Sequence, residues 1–219
     1  MIKGIIVSFE GIDGCGKTTL VKMFYKYLIK NGLNPVVLHE PGDTIVGEKI
    51  RKILLGAKYE KIDKFCEFFL YLASRSQLIE KKIKKHRKEG RIIILDRYID
   101  STYAYQGYGR GISLKFINDI HKVLIGKNYE PNITFLIDEK PENLIKILKK
   151  KKKDRIEKES IEFQKKVRKG YLLLAERNKR IKVVKRKDKE KTFKEIIEIW
   201  EKFLDENRRS KNLLVKSKR

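Results

Sequence analysis

Residues Gly11-Ile12-Asp13-Gly14-Cys15-Gly16-Lys17-Thr18 match the spacing GxxxxGK(S/T), and they stand between an apolar run of strand type and an amphipathic run of helical period. The glycines let the backbone curl until successive N–H groups and the positive end of the following helix face a polyphosphate. In such a loop Gly11, Ile12, Asp13, Gly14, Cys15 and Gly16 cradle the phosphates and Lys17 reaches the β- and γ-phosphates. The Thr18 hydroxyl, with Thr19 beside it, faces Mg²⁺. The expected phosphoryl donor is therefore ATP, with Mg²⁺ as cofactor.

A phosphate loop of this kind requires a strand before it and a helix after it, and the rest of the chain continues that alternation. Short β-rich apolar runs at residues 2–9, 36–39, 92–96, 133–138 and 181–184 are separated by longer segments of helical period, which predicts βαβ units and a parallel sheet. The third and fourth runs are almost continuously apolar, as strands are when helices cover both faces. The predicted architecture is an α/β P-loop NTPase fold of three layers: a five-stranded parallel sheet, helices on both faces and a mobile lid. After the loop, Leu20, Phe24, Tyr27 and Leu28 recur at helical spacing, and Asn31-Gly32 supplies a left-handed stop. A long helical pattern runs from about 62 to 88, where Gly90 breaks it. Its Phe65, Phe68, Phe69 and Leu72 exceed what one buried stripe needs, which points to a second buried face.

The 219 residues suit one domain, predicted over 1–205 with a lid at about 147–160 and a mobile basic tail over 206–219. The net charge of +25, from 54 Lys+Arg against 29 Asp+Glu, raises the question of a nucleic-acid partner. The excess is mostly lysine mixed with glutamate along helical segments, the bias of proteins from hot-living organisms, so a solvated surface is the favoured reading. No apolar run is long enough for a membrane span, the N-terminus has no secretory pattern, and Cys15 and Cys66 form no metal or disulfide framework. A cytoplasmic protein is expected.

The third run ends in Asp96-Arg97. Asp96, at the carboxyl end of a strand beside the phosphate loop, can orient Mg²⁺ through water. Hydrolytic ATPases commonly place a second carboxylate at the next position to activate water. An arginine cannot accept that proton but can grip an anionic acceptor, so transfer to a phosphate is favoured over hydrolysis. Such an acceptor is already ionised near neutral pH, and catalysis reduces to alignment and charge neutralisation.

With FEGIDGCGKTT, EPGDT, EKIRKILL, EFFLYLASRSQ, ILDRYIDSTYAYQGYGRGI, PNITFLID and KDRIEKES in this order, the chain resembles the thymidylate kinases as far as about Glu176. The resemblance implies transfer from ATP to dTMP, giving dTDP and ADP, and a homodimer packed through helices. It implies that Asp13 bonds the 3′-hydroxyl of the deoxyribose and that Arg51 and Arg97 hold the acceptor phosphate. Tyr71 would stack on the pyrimidine and Arg75 would donate to a base carbonyl, and positions four apart do share a helix face. Without the resemblance, Tyr71 reads also as a core aromatic and Arg75 as an ion-pair partner. Tyr105 and Gln106 match positions beside the sugar, where a ring can crowd a 2′-hydroxyl. The phosphate loop has Gly14 and Cys15 where some relatives carry an arginine, which resembles the bacterial subgroup, whose lid supplies the catalytic cation. Here Lys149 to Lys153 stand where arginines are usual; Lys150, with Arg155 beside it, is the expected lid cation. His39 stands before Glu40-Pro41-Gly42 where the family often has arginine.

Two other functions remain open at this stage. In a deoxynucleoside kinase, Glu40 would deprotonate a 5′-hydroxyl, leaving Arg51 and Arg97 as surplus cations. In a basic ATPase acting on nucleic acid, the surface charge would be the function. Lys17→Ala is expected to abolish ADP release with every acceptor; retained turnover would refute the phosphate-loop assignment.

Overall fold

The structure is a computed structural model that describes residues 4–56, 62–144 and 154–216. Its centre is a five-stranded, wholly parallel sheet of β1 (Ile5–Glu10), β2 (Pro35–His39), β3 (Ile92–Asp96), β4 (Ile133–Asp138) and β5 (Ile181–Lys185), in the order β2-β3-β1-β4-β5. The connection leaving β1 leads to β2, beyond β3, whereas the one leaving β3 leads to β4, beyond β1. Right-handed crossovers in opposite directions lie on opposite faces of a sheet, so the carboxyl ends of β1 and β3 open a crevice between them. The phosphate loop and Asp96-Arg97 both emerge there.

Around the sheet lie α1 (Lys17–Lys30), α2 (Ile45–Leu55) and α3 (Lys64–Leu78), the last continuing through a π-helical turn (Ile79–Ile83) into α4 (Lys84–Lys88). After β3 come α5 (Ile99–Thr102), a π-helical segment (Tyr103–Gly109) and α6 (Leu114–Leu124). Two further helices, α7 (Ile161–Arg177) and α8 (Lys189–Lys216), flank β5. Local chemistry sets several boundaries. Gly32 at φ 70° ends α1 as its sequence predicts. The Thr44 hydroxyl accepts from the Gly47 N–H to cap α2, and the Asp63 carboxylate accepts from the Phe65 and Cys66 N–H groups to cap α3. That cap starts the helix at 64 rather than at the expected 62.

β3 confirms that both sheet faces are covered. Ile92 and Ile94 join one buried cluster, while Ile93 and Leu95 join another with Leu78, Ile79 and Ile83 from the α3–α4 side. The first cluster is built on rings: Phe9, Phe24 and Phe135 meet at centroid distances of 5.2 to 5.8 Å, and Trp200 of α8 stands edge-on to Phe24 at 5.2 Å. On α3, Phe68 and Leu72 are buried with Ile112 and Ile117. Phe65 (43% exposed), Phe69 (50%) and Phe116 (37%) form an aromatic patch outside that cluster.

α8 runs to Lys216, across the boundary predicted at 205. Within the predicted lid, residues 154–160 form a turn leading into α7, and Lys150 with the rest of the lysine run lies outside the described residues. Trp200→Ala would empty a closed aromatic site, with an expected loss of about 3–5 kcal/mol in urea unfolding; a loss below about 1 kcal/mol would mean that α8 packs independently of the core.

Candidate active site

A cavity of about 550 Å³ opens at the carboxyl ends of β1 and β3, a size suited to a nucleotide-scale ligand. It takes in Gly14, Gly16, Lys17, Thr18 and Thr19 of the phosphate loop and α1, Asp13, Arg51 of α2, and Tyr71 and Arg75 of α3. Asp96, Arg97, Tyr105 and Gln106 line it as well, and Gly11, Ile12 and Cys15 are outside the lining. Gly11 has φ 138°, and a Cβ there would stand 2.5 Å from the Ile137 carbonyl oxygen; Gly16, at φ 98°, caps α1 in the left-handed region. Lys17 folds back so that its Nζ donates to the Gly11 and Ile12 carbonyls at 2.9 Å each. The Thr18 hydroxyl donates to Asp96 Oδ2 at 2.6 Å. The Thr18 and Asp96 oxygens are thus adjacent hard donors of the kind Mg²⁺ selects.

Arg97 is the most constrained residue of the site. It adopts φ 71°, a left-handed conformation that costs a non-glycine residue about 1–3 kcal/mol. Its Nη2 donates to Asp13 Oδ1 at 2.6 Å and to the Tyr105 hydroxyl at 3.1 Å, while Nη1 donates to Ser101 Oγ and Tyr171 OH. The Tyr105 hydroxyl in turn donates to Asp13 Oδ2 at 2.9 Å. Burial alone would raise the Asp13 pKa, but the Arg97 and Lys17 charges and the Tyr105 hydroxyl outweigh it and hold the carboxyl below the usual range.

Arg75 lines the cavity and is also ion-paired. Its Nη2 lies 2.5 Å from Glu40 Oε1 with both side chains buried, and Nη1 meets His121 Nε2 at 2.9 Å. Burial and the Arg75 charge push His121 down to about 2, so it stays neutral and accepts from the guanidinium. Burial raises the Glu40 carboxyl despite Arg75. The ion pair with Arg75 is what occupies Glu40, and that does not suit a base for a 5′-hydroxyl. Arg51 Nη1 donates to the Pro41 carbonyl at 2.7 Å, which sets it beside the same loop.

Arg155 does not line the cavity: its Nε donates to the Leu54 carbonyl at 2.8 Å and its Nη2 to Glu67 Oε2 at 2.6 Å, because the buried Glu67 carboxylate must be met by cations. His39 sits between two carboxylates. Its ring lies 3.0 Å from Asp43 Oδ2 and 3.1 Å from Glu48 Oε1, and the hydrogen bond with Asp43 raises its pKa.

Sequence reasoning missed Glu10, the last residue of β1. It is fully buried and accepts from the Tyr98 N–H, the Ser101 hydroxyl and the Tyr171 hydroxyl, directly beneath the Arg97 network. Burial and the neighbouring Asp100 charge push it up to about 7. A lone carboxylate between an apolar strand and a glycine loop was its only sequence signal.

Phosphate loop, hard-donor pair and paired arginines together define a P-loop phosphotransferase acting on an anionic acceptor. The family model for thymidylate kinase matches residues 9–197. A thymidylate kinase of Thermoanaerobacter sp. (strain X514) is 47% identical over 175 residues, covering 80% of this chain and 85% of that protein. One from Caldanaerobacter subterraneus subsp. tengcongensis is 48% identical over 80% and 83%. The crystal structure of thymidylate kinase from Ehrlichia chaffeensis superposes with a TM-score of 0.75 at 32% identity, covering 91% of this chain and 99% of that one. The chain belongs to the thymidylate kinase family.

A carboxyl whose pKa rises on folding, here from 4.5 to about 7, takes up a proton in the folded state. Its contribution is fully present below the unfolded pKa and is lost as pH rises through about 7. Glu10→Gln is therefore expected to flatten the fall in urea-unfolding stability between about pH 4.5 and 8; identical pH slopes for wild type and variant would refute the buried-acid assignment.

Proposed function

We propose that this chain transfers the γ-phosphoryl group of ATP to dTMP, giving dTDP and ADP. The observation that carries the reading is Arg97: a strained backbone aims its guanidinium into the cavity beside the phosphate loop, where a hydrolase would place a water-activating carboxylate.

The phosphate loop binds the ATP phosphates, and Lys17 leaves the Gly11 and Ile12 carbonyls to meet the β- and γ-phosphates. Thr18 and Asp96 would hold Mg²⁺, the latter through water; bound there, the ion neutralises phosphate charge. Arg51 and Arg97 grip the acceptor phosphate bidentately and align its oxygen with the transferring group. When Arg97 takes a phosphate, Asp13 is released to the deoxyribose 3′-hydroxyl. Tyr71 stacks on the pyrimidine and Arg75 donates to a base carbonyl. Tyr105 crowds position 2′, with Gln106 next to it. The lid comprises about residues 147–160, and Lys150 provides its cation. Arg155 is the second cation of the lid, held at its end by Glu67 and the Leu54 carbonyl.

The proposed protein works as a homodimer in the cytoplasm. The patch of Phe65, Phe69 and Phe116 supports a helix-packed dimer, and the free thiols of Cys15 and Cys66 support a reducing compartment. The lysine-rich surface is read as heat adaptation rather than as a nucleic-acid site.

The deciding experiment is ADP release from Mg-ATP with dTMP, dUMP, dCMP, dGMP, UMP, thymidine and single-stranded DNA. Strong preference for dTMP is expected. Activity with thymidine alone would refute the phosphate-acceptor reading, and stimulation only by DNA would make the basic surface the function.

A further inference from the structure

Glu67 has no role in the phosphoryl transfer described above, yet it is among the most heavily bonded carboxylates of the molecule. It lies on α3 one turn before Tyr71 and two before Arg75, so the three side chains share a helix face. Its side chain is 1% exposed. Oε1 accepts from Gln106 Nε2 at 2.9 Å and from Arg110 Nε at 3.1 Å; Oε2 accepts from Arg110 Nη2 at 3.1 Å and from Arg155 Nη2 at 2.6 Å. Burial would raise its pKa, but Arg110, Gln106 and Arg155 outweigh that and hold it below the usual range. An ionised carboxylate only accepts hydrogen bonds. The amide of Gln106 must therefore face Glu67 with its NH₂ group, which turns its carbonyl oxygen to the other side. Gln106 is buried and lines the cavity, so that carbonyl is the group it has left to offer a ligand.

We propose that Glu67 is a positioning residue for base selection: by holding the Gln106 amide NH₂-inward, it makes the cavity present a hydrogen-bond acceptor to the N3 edge of a pyrimidine. This rests on the reading of the acceptor as a pyrimidine monophosphate and extends it. Thymine and uracil carry a hydrogen on N3 and satisfy the carbonyl. Cytosine carries a lone pair there, which would oppose it and leave a buried acceptor unpaired. The two arginines keep Glu67 ionised, so the amide cannot turn round without placing its carbonyl against a carboxylate.

The test is Glu67→Gln, with kcat and KM measured for dTMP, dUMP and dCMP. A neutral amide at 67 can donate as well as accept, which frees Gln106 to turn. The dTMP-to-dCMP ratio of kcat/KM is expected to fall at least about tenfold, mainly through KM, while the dTMP-to-dUMP ratio stays unchanged because both bases carry N3–H. An equal loss on all three acceptors, with ratios intact, is what a merely structural role would produce and overturns the proposal. If Glu67→Gln does not fold, Gln106→Leu leaves the ion cluster in place and puts the same question: retained discrimination against dCMP overturns the proposal, and lost discrimination supports it. A wild-type enzyme inactive on all three monophosphates would sink the functional reading and this inference together. Wild-type activity on dTMP with an unmoved ratio would sink the inference alone.

Discussion

A charge taken out of water has to be met by an opposite one or neutralised by a proton, and the cavity and the elements that frame it are organised around that constraint. Arg97 is met by Asp13, Arg75 by Glu40, Arg110 and Arg155 by Glu67, and Arg180 by Asp100. In each pair the partners come from separate elements, so every pair also fixes the relative position of two parts of the chain. Arg97–Asp13 joins the end of β3 to the phosphate loop, Arg75–Glu40 joins α3 to the end of β2, and Arg155–Glu67 joins the lid's end to α3. Breaking one leaves an uncompensated buried charge, which typically costs about 3–5 kcal/mol. The pairs set these parts of the chain relative to one another before any substrate arrives, as a reaction that relies on alignment requires.

The backbone bears a cost at the same places. Arg97 and Asp43 hold positive φ, and Tyr105 and Gln106 sit on a π-helical segment rather than a regular α-helix. Such segments often mark functional sites, and here the extra residue per turn packs tightly. A Cβ on Gly109 would stand 2.7 Å from Phe163, and one on Gly170 would stand 2.6 Å from Tyr108. The close approach of α7 to this segment brings the Tyr171 hydroxyl against Arg97 and Glu10.

Much of this was legible in the chain itself. β3 and β4 fall where their apolar runs predicted, the phosphate loop stands between its strand and helix, and the covering of both sheet faces followed from the lack of polar alternation in β3. Less legible were features whose partners lie far apart in sequence. Glu67 has the spacing of Tyr71 and Arg75 and was open to notice as a charge on an apolar face, but its arginines are 43 and 88 residues away. Trp200 completes the aromatic cluster from a helix in which half the residues are charged. For Arg155, residue type alone does not say which carboxylate it will meet, and Glu67 lies 88 residues away.

The sequence by itself determined the class of fold, the donor site and the kind of acceptor. Those depend on local properties: the period of apolar residues, the conformational freedom of glycine and the chemistry of a lysine, a threonine and an arginine at set spacings. Only the tertiary structure decided which charges pair, which carboxylate lies buried beneath Arg97, and which way the Gln106 amide faces. Those outcomes depend on desolvation and on contacts between residues distant in the chain, and neither exists until the sheet and its helices close around the cavity.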